Sequence, residues 1–275
     1  MESTEPILTV SNVNLEYGES VALRDVSLKL HPGETHVLFG AAGAGKTSLL
    51  KSVIGLVPVD AGSIQLFGQE VTKLSEHDLY GLRARTGVLF QEGGLFDSLP
   101  VGENVEYPLL NQQTADAEKN EAAGAERRVR EALCFVELEQ TFDKLPSELS
   151  GGMRRRVGIA RAVVTNPPLV LYDSPTAGLD PITANTIMAL IAKQRDTRQT
   201  ASLIVTHRYQ DGEIMANFRY DQNRKELVEL APQERESTRT NFIVMKDGGI
   251  VFSGNRAELE ASTDAYVKRF VRHEG

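Results

Sequence analysis

The sequence predicts an α/β protein: a mostly parallel core sheet with an antiparallel β subdomain and a helical subdomain attached. Three observations carry that expectation. Short, almost wholly apolar runs (Thr35–Phe39, Gly87–Phe90, Leu169–Tyr172 and Leu203–Val205) are separated by helix-forming stretches, as in a sheet buried on both faces. Near the start, Val26-Ser27-Leu28-Lys29-Leu30 alternates with period two, the mark of a strand with one wet face. From Thr114 to Gln140 the chain is rich in Ala, Glu and Arg, with Val129, Leu133 and Val136 on one helical face.

In chain order, Ile7–Val10 and Val13–Leu15 read as two strand segments, followed by the alternating strand. Thr35–Phe39 runs into a Gly-rich turn, and a helix over Thr47–Ile54 is closed by Gly55 and Pro58. Ile64–Phe67 reads as a strand, Ser75-Glu76-His77-Asp78 as a helix start, and Arg154–Val164 as a further helix. A helix near Ile182–Lys193 separates the last two core runs. Arg208–Asn241 carries six basic and seven acidic residues before the apolar strand Phe242–Met245. Within it, Phe218–Tyr220 and Leu227–Leu230 flank Gln222-Asn223-Arg224 as a hairpin, either a solvated surface excursion or a partner-contacting element.

A length of 275 residues fits one large domain or two small ones. With 41% hydrophobic and 25% charged residues the balance is that of a soluble globular chain. Thirty basic against 38 acidic side chains leave a net charge of −8, which argues against non-specific binding to nucleic acid or anionic lipid. The single cysteine, Cys134, excludes a disulfide framework and points to a reducing compartment. Met1–Glu5 is acidic and lacks the parts of a secretory signal, and no apolar run approaches the roughly 18 residues of a span. Any action at a membrane is therefore expected from the cytoplasm, through a partner and without direct insertion.

Gly40-Ala41-Ala42-Gly43-Ala44-Gly45-Lys46-Thr47, continued by Ser48, stands between a strand and a helix. Its glycines let backbone N–H groups curl around phosphates, and the helix start adds partial positive charge. Lys46 is expected on the β/γ-phosphates, and the Thr47 hydroxyl on Mg²⁺. Asp173 ends the apolar strand Leu169–Tyr172, where a parallel sheet presents ligands, and is expected to hold Mg²⁺ through its water shell. Leu149-Ser150-Gly151-Gly152-Met153 precedes a helix, so Ser150 with the Gly151 and Gly152 amides can face an anion.

Taken together these strings resemble the ATP-binding cassette subunits of ABC transporters over nearly the whole chain. The resemblance implies a P-loop NTPase fold in a single domain, 1–275, with a helical signature subdomain at about 92–165 and a charged insertion at about 208–241. It implies that Tyr17 stacks on adenine and that Gln91 senses Mg²⁺ and couples to the membrane subunit. Gly178-Leu179-Asp180 would cross a dimer interface, His207 would touch the γ-phosphate, and Ser150–Gly152 would contact the γ-phosphate held by the opposite subunit. The implied partners are a second copy of the chain in an ATP sandwich and an integral membrane permease, at the cytoplasmic face of the inner membrane. Leu89–Leu99, Glu103–Leu109, Met153–Ala162 and Ala265–Phe270 are similar to cassettes of Mla-type systems, which move phospholipid to or from periplasmic MCE carriers. A polar-solute importer is the rival subtype. A soluble ABC protein of DNA repair or translation is disfavoured, because no long coiled coil and no second cassette are present.

One position departs from the family. The resemblance implies Asp-Glu at the strand end, the Glu polarising water, and here the pair is Asp173-Ser174. A hydroxyl can orient water but cannot accept its proton near neutral pH. Three alternatives follow: slow hydrolysis with His207 or Gln91 positioning water, substitution by another carboxylate such as Glu92, or an ATP-gated clamp with little hydrolysis.

Overall fold

The computed structural model describes residues 5–91, 93–110 and 121–271. The first elements are β1 Leu8–Tyr17, β2 Ser20–Leu30, β3 Thr35–Phe39, α1 Lys46–Val53, β4 Ala61–Leu66, β5 Gln69–Glu70, α2 Glu76–Ala84 and β6 Thr86–Leu89. Next come α3 Val101–Leu110, α4 Glu121–Phe135, α5 Gly151–Val163, β7 Leu169–Asp173, α6 Pro181–Arg198 and β8 Ala201–Val205. The chain continues through α7 Tyr209–Asn217, β9 Phe218–Asp221, β10 Glu226–Glu229, β11 Thr240–Lys246, β12 Gly249–Gly254 and α8 Arg256–Ala261.

The central sheet has the order β12-β11-β3-β8-β7-β6, parallel throughout except for β12 at the edge. Every residue of β3, β7 and β8 is buried, which is why these strands read as continuous rather than alternating runs. The second sheet, β2-β1-β4-β5, is antiparallel. On β2, Val26, Leu28 and Leu30 point into its core while Ser27 and Lys29 face out.

Ile7–Val10 and Val13–Leu15 are not two strands but parts of one, β1, and the reason is a bulge. Asn12 sits at φ +48, and the pairing with β2 slips between Val10 and Val13. Leu8 and Val10 are even-numbered and Val13 and Leu15 odd, yet all four are buried, because the slip returns the odd set to the inner face. Asn12 tolerates this conformation, and its amide donates to Asp25 Oδ1 at 2.8 Å across the pair.

Helices α3, α4 and α5 close around Val101, Val105, Val129, Leu133, Val136 and Val157, in a core continuous with Val170 and Tyr172 of β7. Helix α3 lies within the helical subdomain that the resemblance implies at about 92–165, and it carries Pro108 inside it. Buried Asn104 ties the start of this helix to the preceding turn: its amide donates to the Phe96 and Leu99 carbonyls, and its oxygen accepts from Phe96 N–H at 2.8 Å. The expected Thr114–Gln140 helix is α4 followed by a short turn, with residues 114–120 outside the described residues.

The charged stretch from Arg208 begins differently from a surface excursion. Its first part is α7, whose Tyr209, Met215 and Ala216 are buried. Charge counting concealed this helix because Asp211 is itself buried and hydroxyl-bonded, while Arg208 and Glu213 lie at the margin. Beyond it β9 and β10 pair antiparallel, Phe218 opposite Glu229 and Asp221 opposite Glu226. Tyr220 N–H donates to Asp196 Oδ2 on α6 at 2.8 Å, so the hairpin is anchored to the core helix.

His36 on β3 gives the fold a pH dependence. Burial lowers its pKa from 6.5 to about 4, with Glu34 opposing and His31 adding to the shift. The unfolded chain therefore binds a proton in this window that the native chain rejects. Stability from this group is complete above about pH 6.5 and is lost as pH falls towards 4, a loss of about 3 kcal/mol. Urea unfolding of the wild type and of His36→Gln at pH 7.5 and 4.5 checks this. The variant should lose much less stability on acidification; equal losses would mean that other groups carry the effect.

Candidate functional site

The site begins where β3 meets α1. Gly45 is the N-cap of α1 at φ +97, and a Cβ there would lie 2.2 Å from the Ala22 carbonyl oxygen. At Gly40 a Cβ would lie 2.6 Å from the Met245 carbonyl oxygen. The loop is thus wedged between β2 and β11, and both positions require glycine. Lys46 is buried, and its Nζ donates to the Gly40 and Ala41 carbonyls at 2.7 and 2.8 Å. No side chain caps α1 at Gly45, and Lys46, Thr47 and Ser48 line a cleft of about 480 Å³.

Parallel strand direction gathers the rest. The loop follows β3, Gln91 follows β6, Asp173 ends β7 and His207 follows β8, so all four emerge at the C-terminal end of the parallel strands. All four, with Ser174, line the cleft together with Ala42–Ala44, and Tyr17 enters it from the end of β1 with its ring half exposed. Asp173 Oδ2 accepts from the Thr47 hydroxyl at 3.0 Å, and its Oδ1 accepts from the Ser174 hydroxyl at 3.2 Å. Ser174 is buried at φ +53, its N–H donating to the Val205 carbonyl at 2.9 Å.

Burial holds the Lys46 ammonium below its ordinary pKa, partly offset by the Asp173 carboxylate. Burial also lowers the pKa of His207, and the Lys46 charge lowers it further, against a hydrogen bond to the Gly40 backbone and the Asp173 charge. The net direction favours the neutral imidazole, which can donate from one nitrogen.

The structure does not bring every expected residue into this cleft. Ser150 caps α5, accepting from Met153 N–H at 3.2 Å, and Asp180 caps α6, accepting from Ile182 and Thr183 N–H at 3.1 and 3.0 Å. These two helix starts adjoin: a Cβ on Gly152 would meet Thr183 Cγ2 at 2.6 Å. Ser150, Gly151, Gly152 and Asp180 do not line the cleft. Glu92 lies outside the described residues. One contact escaped sequence reasoning. The Ala41 N–H donates to the Tyr266 hydroxyl at 3.1 Å, and that hydroxyl donates to the Met245 carbonyl at 3.1 Å. The partners lie at opposite ends of the chain, so no local pattern could signal the pair.

A wedged glycine loop, a buried lysine at its end and a hydroxyl–carboxylate pair define a P-loop nucleotide-binding fold. The chain belongs to the ABC transporter family, whose sequence model matches residues 23–177. It is 40% identical over 189 residues to the methionine import ATP-binding protein MetN of Corynebacterium efficiens, covering 69% of this chain and 51% of that one. To the "Probable ribonucleotide transport ATP-binding protein mkl" of Mycobacterium tuberculosis it is 36% identical over 227 residues, 82% of this chain and 62% of that one. The chain thus spans about half to three-fifths of the length of these curated relatives. Among solved structures it is similar to the dimeric, post-hydrolysis state of the ATP-binding cassette MJ0796 bound to ADP and Pi. There the TM-score is 0.72 at 29% identity, covering 90% of this chain and 98% of that one. CbiO1 of Clostridium perfringens, part of the cbiONQ transporter complex, gives a TM-score of 0.74 at 26% identity, covering 97% and 94%.

Proposed function

We propose that the chain is the ATP-binding, energy-coupling subunit of an ABC transporter, working as a dimer that closes on ATP and hydrolyses it slowly. The observation that carries this reading is the split site. Lys46, Thr47 and Asp173 converge in one cleft, while Ser150–Gly152 stand outside it at an exposed helix start. A second copy can supply that helix start to the first copy's phosphates. The dimeric state of the MJ0796 cassette supports the arrangement.

Within the cleft each residue has a chemical task. Lys46 exchanges its two carbonyl acceptors for phosphate oxygens, a charge-assisted contact stronger than the pair it leaves. Tyr17 offers an exposed ring for stacking on the base. His207, which lines the cleft, donates a ring N–H to the terminal phosphate. The Ser174 proton is committed to Asp173, so its lone pairs accept from the attacking water and orient it without removing the proton. The hard oxygen donors Thr47 and Asp173, 3.0 Å apart, suit Mg²⁺, with Gln91 at the rim. When bound, that ion neutralises phosphate charge.

The transported substrate in this proposal is phospholipid or a related lipid, exchanged between the inner membrane and a periplasmic MCE-domain protein. The strings Leu89–Leu99 and Met153–Ala162 support this subtype. The permease would dock at the groove lined by Tyr80, Arg83, Val88, Tyr107 and Arg161, on the strand that leads to Gln91. Among the described residues no helix is long and apolar enough to cross a membrane. A second reading, polar-solute import, is favoured by the 40% identity to a methionine import protein. Affinity capture of the chain from detergent-solubilised membranes separates the two. The lipid reading expects a multi-span permease together with an MCE-domain protein. Capture of a solute-binding protein's permease instead would overturn it.

A further inference from the structure

Asp211 is a fully buried carboxylate in the first turn of α7 that none of the steps above uses. Its Oδ2 accepts two hydroxyl hydrogen bonds, from Thr176 and from Thr206, both at 2.5 Å. The two threonines belong to different loops. Thr176 lies in the loop from Ser174 to Asp180, which begins in the cleft and ends at the cap of α6. Thr206 immediately precedes His207, and its hydroxyl also accepts from Arg208 N–H at 3.1 Å. The loop roots are tied by backbone, Ser174 N–H to the Val205 carbonyl at 2.9 Å and Thr206 N–H to the Leu38 carbonyl at 3.1 Å. Beyond those roots, one carboxylate oxygen joins both loops.

Packing alone does not explain this choice of residue. Asp211 Oδ1 has no hydrogen-bond partner among the described residues, and Arg208 Nη1 stands 3.7 Å away. A buried carboxylate whose second oxygen has only a long ion-pair contact and no hydrogen bond is a costly way to fill space. An oxygen that accepts from two separate loops fixes their relative position, and small misplacements at a reacting centre carry large kinetic costs. We propose that Asp211 is a positioning residue: it couples the Ser174–Asp180 loop to the His207 turn, so that the residue facing water and the residue facing the terminal phosphate move as one body. The catalytic consequence rests on the ATP-hydrolysis reading; the mechanical coupling does not.

The test uses Thr176→Val and Thr206→Val, each removing one hydroxyl at nearly constant shape, with hydrogen exchange on the full chain without nucleotide. Thr176→Val should speed exchange about tenfold at the Arg208 amide, in the other loop. Thr206→Val should do the same at Ala177 and Leu179. Effects confined to each variant's own loop would overturn the coupling. In parallel, ATP turnover of the chain with its permease should fall about tenfold or more in kcat for either variant, with KM changed less than about twofold. The double variant should be little worse than either single one, because both act through one oxygen. Asp211→Asn, which keeps an acceptor oxygen, should retain more kcat than Asp211→Ala. Additive losses, or equal effects of Asn and Ala, would count against the proposal. Absent wild-type turnover would remove the hydrolysis reading alone, leaving exchange to decide the coupling.

Discussion

Replacing Ser174 by glutamate is expected to raise ATP turnover by about tenfold or more, a conservative part of the roughly 10²–10⁴ that a general base contributes. Ser174 follows the strand that ends at Asp173 and lines the cleft, and its hydroxyl can orient water but not take its proton. A glutamate would add the missing acceptor. The backbone permits the change, because Ser174 already holds φ +53 with a Cβ in place, so a longer side chain adds no strain of that kind. Ser174→Ala removes only a hydroxyl and should alter turnover less than about fivefold if the residue merely orients water. The measurement is steady-state phosphate release by the chain with its permease. A wild type already turning over at about 1 s⁻¹ or faster, and slowed by the added glutamate, would overturn the idea. The site would then contain another base, and Glu92 and His207 would be the next residues to substitute.

Lys46→Ala should weaken Mg²⁺–ATP binding by about tenfold or more, the magnitude expected from losing a hydrogen-bonded charge. The structure adds a second consequence. Lys46 Nζ satisfies the Gly40 and Ala41 carbonyls, so its removal leaves both without that donor. The variant should therefore bind weakly and also melt at a lower temperature. Lys46→Arg should not restore binding, since a bulkier planar fork cannot take the place of a compact ammonium at this buried position. Isothermal titration alongside thermal unfolding checks both effects. Undiminished binding would place the phosphate site elsewhere.

Much of this site was legible because its signals are local. Gly40–Thr47 needs only a strand before it and a helix after it, and the apolar strand ending in Asp173 announces its own C-terminal end. Residues whose role depends on distant partners left no such trace. Tyr266 reaches Ala41 from the other end of the chain, and Asp211 looks like one of seven acidic residues in a charged stretch until Thr176 and Thr206 are seen on one of its oxygens. The same holds for elements. The parity change from Val10 to Val13 has no local explanation until pairing reveals the bulge, and the start of α3 is tied to the preceding turn by buried Asn104, whose amide donates to the Leu99 carbonyl. Periodicity and loop chemistry therefore determined the fold class, the glycine-rich loop before α1 and the carboxylate at the end of β7, each set by contacts within a few residues. Tertiary structure alone decided which residues share the cleft and which stand outside it, because parallel strands from four separate segments must align before their ends can meet.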